Sequence, residues 1–348
     1  MRSLTDSYLD ALAFTAKQAS TIRALGEYRG KQKLYKRQSP EMLNGLRALA
    51  RIESTDASNR LEGITAPEAR LQAIVRHSEP PRTRSEQEIA GYRDALELIH
   101  EARTELPVSV NGIRQLHQTI YSYLPDEGGQ WKPVDNEIVE RDPAGNVVRV
   151  RFRPVAAVAT PQAMEDLVTH YAAAEVMGQE PLLTIPLLIL DFLCIHPFRD
   201  GNGRVARLLT LLALYHAGYD VGRYISLERV IEESWKSYYE TLEASSQGWH
   251  EGQHDSTAWL EYFWGVMLRA YKEFEERVGD VDHGGSSKSQ RVRDAVGREV
   301  RPFRVVDLQK QCPDVSRETI RLVLRAMKKA GVIELSGRGR GARWRNVP

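Results

Sequence analysis

A single segment, from His196 to Arg207, sets narrow limits on the fold of this chain; it reads HPFRDGNGRVAR. It follows an apolar run, Leu182–Ile195, that suits a buried helix but is too short and too interrupted to span a bilayer. The glycines on either side of Asn202 permit a tight turn that directs several backbone N–H groups into one concave nest. A helix that begins there would attract anions with its positive end. The segment therefore predicts a buried helix, a glycine turn and a second helix built around a phosphate group.

The side chains of this segment fit the chemistry of a nucleoside triphosphate. Arg204 and Arg207 lie three residues apart, so a helix would place both on one face, where guanidinium groups can bind phosphate oxygens. Asp200 offers the carboxylate oxygens that Mg²⁺ prefers, and this ion normally accompanies triphosphates. His196 belongs to the residue type that titrates near neutral pH, and it can take a proton from an attacking hydroxyl. The alternative is a polar glycine turn with solvated arginines.

The segment resembles the signature of Fic-domain proteins, His-x-Phe-x-(Asp/Glu)-Gly-Asn-Gly-Arg-x-x-Arg, and it matches every specified position. The resemblance implies a mainly α-helical core that carries a β-hairpin flap. It also implies that His196 is the catalytic base, that Asp200 is the Mg²⁺ ligand and that Phe198 is an apolar peg. The nucleotide-binding residues expected from it are Gly201, Asn202, Gly203, Arg204 and Arg207.

A hairpin is predicted ahead of the signature, in a chain that otherwise shows mostly helical spacing up to residue 278, for example over 42–52 and 227–245. Residues 136–140 and 147–152 alternate like strands, and a turn-rich stretch joins them. The hairpin resembles the Fic flap, here about 133–155, whose open edge would pair with an extended segment of a target protein. A hairpin that only covers the core is the alternative.

A second family pattern lies upstream, at residues 58–63. SNRLEG resembles the inhibitory motif Ser/Thr-x-x-x-Glu-Gly/Asn, with Ser58 and Glu62 at the specified positions. A helix that ends at Gly63 would leave Glu62 free to reach the phosphate site. There its carboxylate could form a bidentate pair with Arg207 and occupy the guanidinium that the γ-phosphate needs. Inhibition would follow because a small misplacement of reacting groups costs much rate. A capped surface helix is the alternative.

Two further acidic residues are expected near the nucleotide: Asp191, one helical turn before the signature, and Glu233, in a stretch that resembles the helix beside the adenine pocket. A third pattern, His250–His254, matches the His-Glu-x-x-His motif of zinc proteases. That motif requires a helix, whereas Gly248 precedes this copy and Gly252 lies inside it. We interpret it as a loop without zinc.

The C-terminal residues form a separate, basic region. The whole chain has a formal net charge of +1, but basic residues far outnumber acidic ones from Lys288 onward, which indicates a domain boundary. Helical patterns at 290–298, 305–312 and 316–330 followed by a hairpin resemble a winged helix-turn-helix. This region is a candidate for DNA contact, with protein packing as the alternative. Its aligned or clustered basic residues are Arg317, Arg321, Arg325, Lys328, Arg338, Arg340 and Arg343.

The organisation expected from these patterns is an N-terminal helical region (1–104), a Fic core (105–281), a linker (282–287) and a winged-helix-like domain (288–348). Two cysteines provide no disulfide framework and the first residues have no signal-peptide core, so we expect a cytoplasmic protein without a membrane segment.

The resemblance implies an enzyme, a protein adenylyltransferase that moves AMP from ATP to a Tyr, Thr or Ser hydroxyl and is autoinhibited by Glu62. One alternative is removal of AMP at the same site, with Glu62 orienting water. The other is a DNA-binding regulator that senses nucleotide. The sequence leaves open the target protein, self-modification and homo-oligomer formation.

Overall fold

The computed structural model of the chain describes residues 3–35, 40–102, 105–125, 128–142, 146–279, 292–293, 295–297, 302–313, 315–329, 332–336 and 343–346. Its contacts divide the chain into two compact units, Met1–Glu273 and Phe274–Pro348. The predicted linker, 282–287, lies outside the described residues.

The fold is mainly α-helical, as predicted. The described helices up to residue 279 are α1 (Asp6–Ala11), α2 (Ala16–Tyr35), α3 (Pro40–Arg60), α4 (Glu68–Val75), α5 (Arg84–Ala102), α6 (Val110–Ile120), α7 (Thr160–Val176), α8 (Pro181–Ile195), α9 (Asn202–His216), α10 (Leu227–Glu233), α11 (Trp235–Ser246) and α12 (Thr257–Gly279).

Two helical predictions need correction. The helix predicted over 42–52 extends over Pro40–Arg60, and the one predicted over 227–245 is two helices that meet at Ser234. Ser234 leaves the helical region (φ −120°, ψ 27°), and its hydroxyl donates to the carbonyl of Val230 at 2.8 Å. A serine that bonds back to the preceding turn competes with the helical ladder, which explains the break.

The core of the first unit is built around α8, which is apolar on all sides and almost entirely buried. Pro186 lies inside this helix and has no N–H for the carbonyl of Leu182, four residues earlier. The indole Nε1 of Trp264 donates to that carbonyl at 2.7 Å, and Trp259 donates to the carbonyl of Pro186 at 2.7 Å. Both tryptophans belong to α12, so this helix supplies the donors that let a proline-containing helix run through the core.

The predicted hairpin is present. Strands β1 (Ile138–Arg141) and β2 (Val147–Phe152) pair antiparallel, with irregular register near both ends of β1. The first strand begins two residues later than predicted, and residues 143–145 of the turn lie outside the described part. Within that part the sheet has only these two strands, so each has an edge that no third strand covers.

The second unit contains α13 (Val305–Gln311), α14 (Arg317–Lys329), β3 (Ile333–Ser336) and β4 (Arg343–Asn346), with β3 and β4 antiparallel. Phe303 and Trp344 exchange two backbone hydrogen bonds of 2.8 Å, which adds a bridge to β4. The first predicted helix is described only at 292–293 and 295–297, which are helical. Arg338 and Arg340 lie outside the described residues.

Across the described parts of the chain, no helix combines the length and apolar character needed to cross a membrane.

Candidate active site

The signature segment forms a loop between α8 and α9. The first helix ends at Ile195 and is followed by His196, the C-cap residue, which adopts the left-handed conformation (φ 49°, ψ 61°). The second helix begins at Asn202 after Gly201 (φ 77°). A left-handed non-glycine residue is uncommon and persists only where its surroundings hold it. The first N–H groups of α9 have no partners within the helix, so its N-terminus provides the expected anion-binding end.

Phe198 anchors this loop in the core, as expected of an apolar peg. It is fully buried, and its ring stacks on His117 with centroids 3.8 Å apart. Asn202 closes the loop, because its Oδ1 accepts from the Phe198 N–H (2.9 Å) and its Nδ2 donates to the Phe198 carbonyl (2.8 Å). The signature predicts that Asn202 binds nucleotide. Its side-chain amide instead closes the loop, so only its backbone N–H is left for that role.

His117 is a supporting residue that the sequence did not indicate. Its Nδ1 accepts from the Gly129 N–H at 2.9 Å, which leaves Nε2 to donate to the Asp200 carbonyl at 3.1 Å. Burial lowers the pKa of His117 to about 4, so this neutral tautomer persists at physiological pH. A lone histidine in an amphipathic helix carries no signal that would distinguish this role.

His196 and Arg207 line the same cavity, which has a volume of about 160 Å³. The α8–α9 loop contributes His196, and the first turn of α9 contributes Gly203. Arg207 lies one turn further along α9. The apolar wall comes from the hairpin, α8 and α11 and consists of Ile138, Phe152, Leu190, Leu193, Tyr238 and Leu242.

The imidazole of His196 is neutral at physiological pH. Burial, helped by the nearby ammonium of Lys132, lowers its pKa to about 4. The carboxylates of Glu62 and Asp200 act in the opposite direction but do not outweigh burial. A neutral ring is the form that can accept a proton from a hydroxyl.

Arg207 is bound by the inhibitory motif. Its Nε donates to the Ser58 hydroxyl (2.8 Å), and its Nη2 donates to the Ser58 carbonyl (2.8 Å) and to Glu62 Oε1 (2.7 Å). The expected pairing of Glu62 with Arg207 is thus present, but it is a single bond rather than a bidentate one. Ser58 takes Nε and the second Nη2 hydrogen, and Nη1 has no hydrogen-bond partner among the described residues. A side chain at Gly203 would overlap with Glu62 Oε1, so glycine is needed for this approach.

The end of α3 explains why Glu62 can reach the cavity. The Ile64 N–H donates to the Asn59 carbonyl (2.9 Å) and the Gly63 N–H to the Arg60 carbonyl (2.9 Å), and Gly63 has φ 75°. These are the two bonds of a Schellman cap, with glycine at the left-handed position. Glu62 is therefore the C-cap residue, on a turn that leaves the helix, and its side chain keeps 27% of its exposure.

Arg204 does not reach the cavity, which corrects the expectation that both arginines hold phosphate. Its side chain is 1% exposed; Nη1 pairs with Glu88 Oε2 at 2.8 Å, and Nη2 donates to the Tyr121 hydroxyl at 2.8 Å. Three residues along a helix correspond to a rotation of about 300°. The two arginine side chains therefore point about 60° apart, which is enough to direct Arg204 toward α5 and α6.

Asp200 is the one exposed carboxylate of the loop, with 73% of its side chain accessible. Oδ1 accepts from the Gly201 N–H (2.7 Å), and Oδ2 accepts from the Tyr121 hydroxyl (3.1 Å). Mg²⁺ is commonly held by one or two carboxylates together with substrate phosphates and water. A single oriented carboxylate beside a helix N-terminus fits that requirement.

The two acidic residues placed near the nucleotide lie elsewhere. Asp191 is fully buried and accepts bonds from the Ser3 N–H (3.1 Å), the Ser3 hydroxyl and the Trp249 indole. Glu233 is paired with Arg229 (2.7 Å) and Arg269 at the end of α10. Neither lines the cavity. Each carboxylate has structural partners that the sequence did not reveal, so the contacts do not support a place for either beside the nucleotide.

The His-Glu-x-x-His segment forms a turn rather than a helix. His250 Nε2 contacts the Arg153 carbonyl at 2.8 Å, whereas His254 Nε2 contacts the Ser3 hydroxyl at 2.8 Å. Among the described residues, the group of three or more potential ligands that converges lies elsewhere, at His77, Asp94 and Glu97.

Comparisons with known proteins point to one family. Residues 107–214 match the model of the Fic/DOC family. Over 113 residues the chain is 26% identical to a protein adenylyltransferase, fic-1, from Caenorhabditis briggsae; the match covers 32% of this chain and 20% of that protein.

Solved structures of Fic proteins share the fold. One from Desulfovibrio desulfuricans G20, a Fic family protein, superposes with a TM-score of 0.62 at 22% identity and covers 97% of both chains. A Fic domain containing signaling protein from Bacteroides thetaiotaomicron VPI-5482 superposes with a TM-score of 0.61 at 23% identity, covering 74% of this chain and 97% of that one.

Proposed function

Because residues 107–214 belong to the Fic/DOC family, we propose that this chain is a protein adenylyltransferase that transfers AMP from ATP to a side-chain hydroxyl of a target protein and is held inactive by Glu62. The observation that carries the proposal is that a neutral histidine and a buried arginine line one cavity, and that an acidic residue from another helix binds the arginine.

The reaction uses His196 as the general base. It takes the proton of the target hydroxyl, whose oxygen attacks the α-phosphorus of ATP; the bond to the bridging oxygen breaks and pyrophosphate leaves. The N–H groups of Asn202 and Gly203 hold phosphate oxygens, and Arg207 binds the terminal phosphates. The Gly201 N–H instead holds the Asp200 carboxylate. Asp200 would hold Mg²⁺, which neutralises phosphate charge when bound.

Inhibition by Ser58 and Glu62 follows from competition with the nucleotide for Arg207. While Ser58 and Glu62 occupy Nε and Nη2, only Nη1 of the guanidinium remains, so Arg207 cannot bind the terminal phosphate through two nitrogens. The Glu62 carboxylate also lies where a second negative group would be repelled. ATP would then bind with its α-phosphorus out of line with the attacking oxygen, which lowers the rate without blocking binding.

The target protein would dock at the hairpin. Val147, Val148 and Val150 of β2 are exposed (51%, 62% and 37%), in a sheet whose edges are uncovered within the described residues. An extended target segment could add to such an edge through main-chain hydrogen bonds and present a hydroxyl to His196.

Label transfer from ATP tests this proposal. Glu62→Gly should incorporate label from α-³²P-ATP into protein but not from γ-³²P-ATP, whereas Glu62→Gly/His196→Ala should incorporate neither. Incorporation from γ-labelled ATP would indicate phosphate transfer instead. Release of AMP from a previously modified protein, without net labelling, would favour AMP removal with Glu62 orienting water.

The second unit favours DNA contact as an additional function. Arg317, Arg321, Arg325 and Lys328 are exposed along one face of α14 and have no ion-pair partner among the described residues. The order of α13, α14 and the β3–β4 hairpin supports a winged-helix arrangement, a fold whose recognition helix can enter the major groove.

Duplex binding by the full chain tests the DNA proposal. Arg321→Glu/Arg325→Glu should weaken binding and reduce its salt dependence, while label transfer by the Glu62→Gly form should be unchanged. Equal binding by both forms would contradict DNA contact through α14.

A further inference from the structure

The segment that leads into the hairpin contains a buried lysine beside the catalytic loop. Lys132 is 3% exposed, and its ammonium donates to the carbonyl of Ile195 (3.0 Å) and to Oδ1 of Asn136 (2.8 Å). Its backbone N–H donates to the carbonyl of Pro197 at 2.8 Å. A buried lysine is uncommon and carries a desolvation cost, so its partners need a reason.

The position of Lys132 suggests that reason. Ile195 is the last residue of α8, where the helix leaves carbonyl groups without partners and carries the negative end of its dipole. The next residue, His196, holds the left-handed conformation that ends the helix. A cation on the last carbonyl therefore stabilises the helix end from which the base projects.

Asn136 completes the contact from the other side of the loop. Its Nδ2 donates to the carbonyl of Phe198 at 3.2 Å, while its Oδ1 accepts from Lys132. We call Lys132 and Asn136 the bracket. Since Asn136 lies two residues before β1, the bracket joins the root of the hairpin to the residues on both sides of His196.

We infer that Lys132 is a positioning residue for His196: its ammonium fixes the end of α8 and, through Asn136, couples the hairpin that receives the target to the base that activates it. This inference rests on the proposed function.

The charge of Lys132 is expected to titrate within the working range of the enzyme. Burial lowers its pKa to about 8, with Asp135 of its own segment acting in the opposite direction. Across the contact the titratable group is His196, on which Glu62 and Asp200 also act. Below pH 8 the bracket is charged and intact; above it the ammonium loses a proton and the contact weakens.

Two substitutions of Lys132 distinguish an effect of its charge from an effect of its packing. Lys132→Arg keeps a cation that does not lose its proton in this range. Lys132→Met keeps the apolar length but removes the charge and the two hydrogen bonds that the ammonium donates. Lys17→Met, at an exposed position of α2, is the matched control, and all are made in the Glu62→Gly form.

The first readout is kcat/KM for label transfer between pH 6 and 9.5. We expect the Glu62→Gly form to lose activity above about pH 8, in line with the Lys132 pKa. Lys132→Arg should move this loss upward by more than about one pH unit. Lys132→Met should be at least about tenfold slower at pH 7 and show no alkaline loss. An unchanged alkaline loss in Lys132→Arg, or an equal decrease at every pH in Lys132→Met, would overturn the inference.

The second readout is independent of activity. The ring ¹H–¹³C resonance of His196 should titrate about one pH unit higher in Lys132→Met than in the Lys17→Met control, because one neighbouring positive charge is lost. If Glu62→Gly shows no transfer at any pH, the proposed function fails; an unchanged His196 titration refutes the positioning role by itself.

Discussion

Arg204 and Arg207 stand three residues apart on α9 and lie in opposite surroundings. The guanidinium of Arg204 lies between Tyr121 and Glu88, whose side chain is only 9% exposed, while the exposed Asp200 carboxylate is farther away, at 3.9 Å. Arg207 is just as buried, at 3%, but its partner Glu62 keeps 27% exposure and both residues line the cavity. A buried arginine can thus be a structural residue or a residue that binds substrate. The exposure of the carboxylate that pairs most closely with it distinguishes the two cases.

The energetic consequence is that the two pairs should respond differently when a partner is removed. Loss of one member of a sealed pair leaves an uncompensated buried charge, which is strongly destabilising. Loss of Glu62 exposes Arg207 to the cavity, where water or phosphate can replace the carboxylate.

The largest effect is expected from Arg204→Ala. It removes the buried cation on Glu88 Oε2 and leaves Glu88 only the exposed Arg84, at 3.3 Å. The substitution should reduce the free energy of unfolding by about 3–5 kcal/mol, or lower the melting temperature by roughly 10 °C. Thermal unfolding monitored by circular dichroism measures this. Arg207→Ala serves as the comparison and should cost clearly less; an equal loss in both variants would remove the distinction between the pairs.

The next effect concerns activity. In the Glu62→Gly form, Arg207→Ala should reduce kcat/KM for label transfer by on the order of 10²–10³-fold, the usual cost of losing one group that stabilises developing charge. Initial rates at subsaturating ATP provide the measurement. A decrease of less than about threefold would mean that Arg207 does not hold the phosphates.

Ser58→Ala should have a smaller effect in the otherwise unaltered chain. It removes the hydroxyl that accepts from Arg207 Nε but leaves the Ser58 carbonyl and Glu62 in place. We expect a rise in transfer of about tenfold, since a hydrogen bond to a charged group contributes about 1.5 kcal/mol or more. Comparison with Glu62→Gly shows how much of the inhibition each contact supplies, and a Ser58→Ala rate equal to that of Glu62→Gly would contradict this division.

The smallest effect is expected from acidification. Because the pKa of His196 is lowered to about 4, the base is already neutral at pH 6. Between pH 6 and 7.5, kcat/KM of the Glu62→Gly form should change by less than about twofold. A proportional rise across this interval would show that His196 titrates near its ordinary value.

Much of this arrangement could be predicted from the sequence because it depends on local pattern. The apolar run of α8, the glycine turn, the hairpin and the glycine at position 63 each specify local backbone geometry, and the pairing of Glu62 with Arg207 followed from the family pattern. Prediction failed where a partner distant in sequence decides the outcome. Asp191 binds Ser3, and Arg204 binds Glu88.

Two further features, helix α2 and the bracket of Lys132 and Asn136, could not be located from local sequence pattern. Helix α2 has almost no amphipathic periodicity, so the hydrophobic pattern did not indicate its bounds within the predicted N-terminal helical region. The bracket consists of a lysine and an asparagine in an irregular segment, residue types that are usually solvated there. Only the tertiary fold brings them to the end of α8.

The most direct test of inhibition by Glu62 is single-turnover transfer of AMP. The unaltered chain and Glu62→Gly are compared at ATP concentrations that saturate both. If Glu62 restrains Arg207, the substitution should raise the transfer rate more than about tenfold while the Kd for ATP changes by less, because the inhibition acts on phosphate placement. Equal rates in the two proteins, with ATP bound to both, would contradict it.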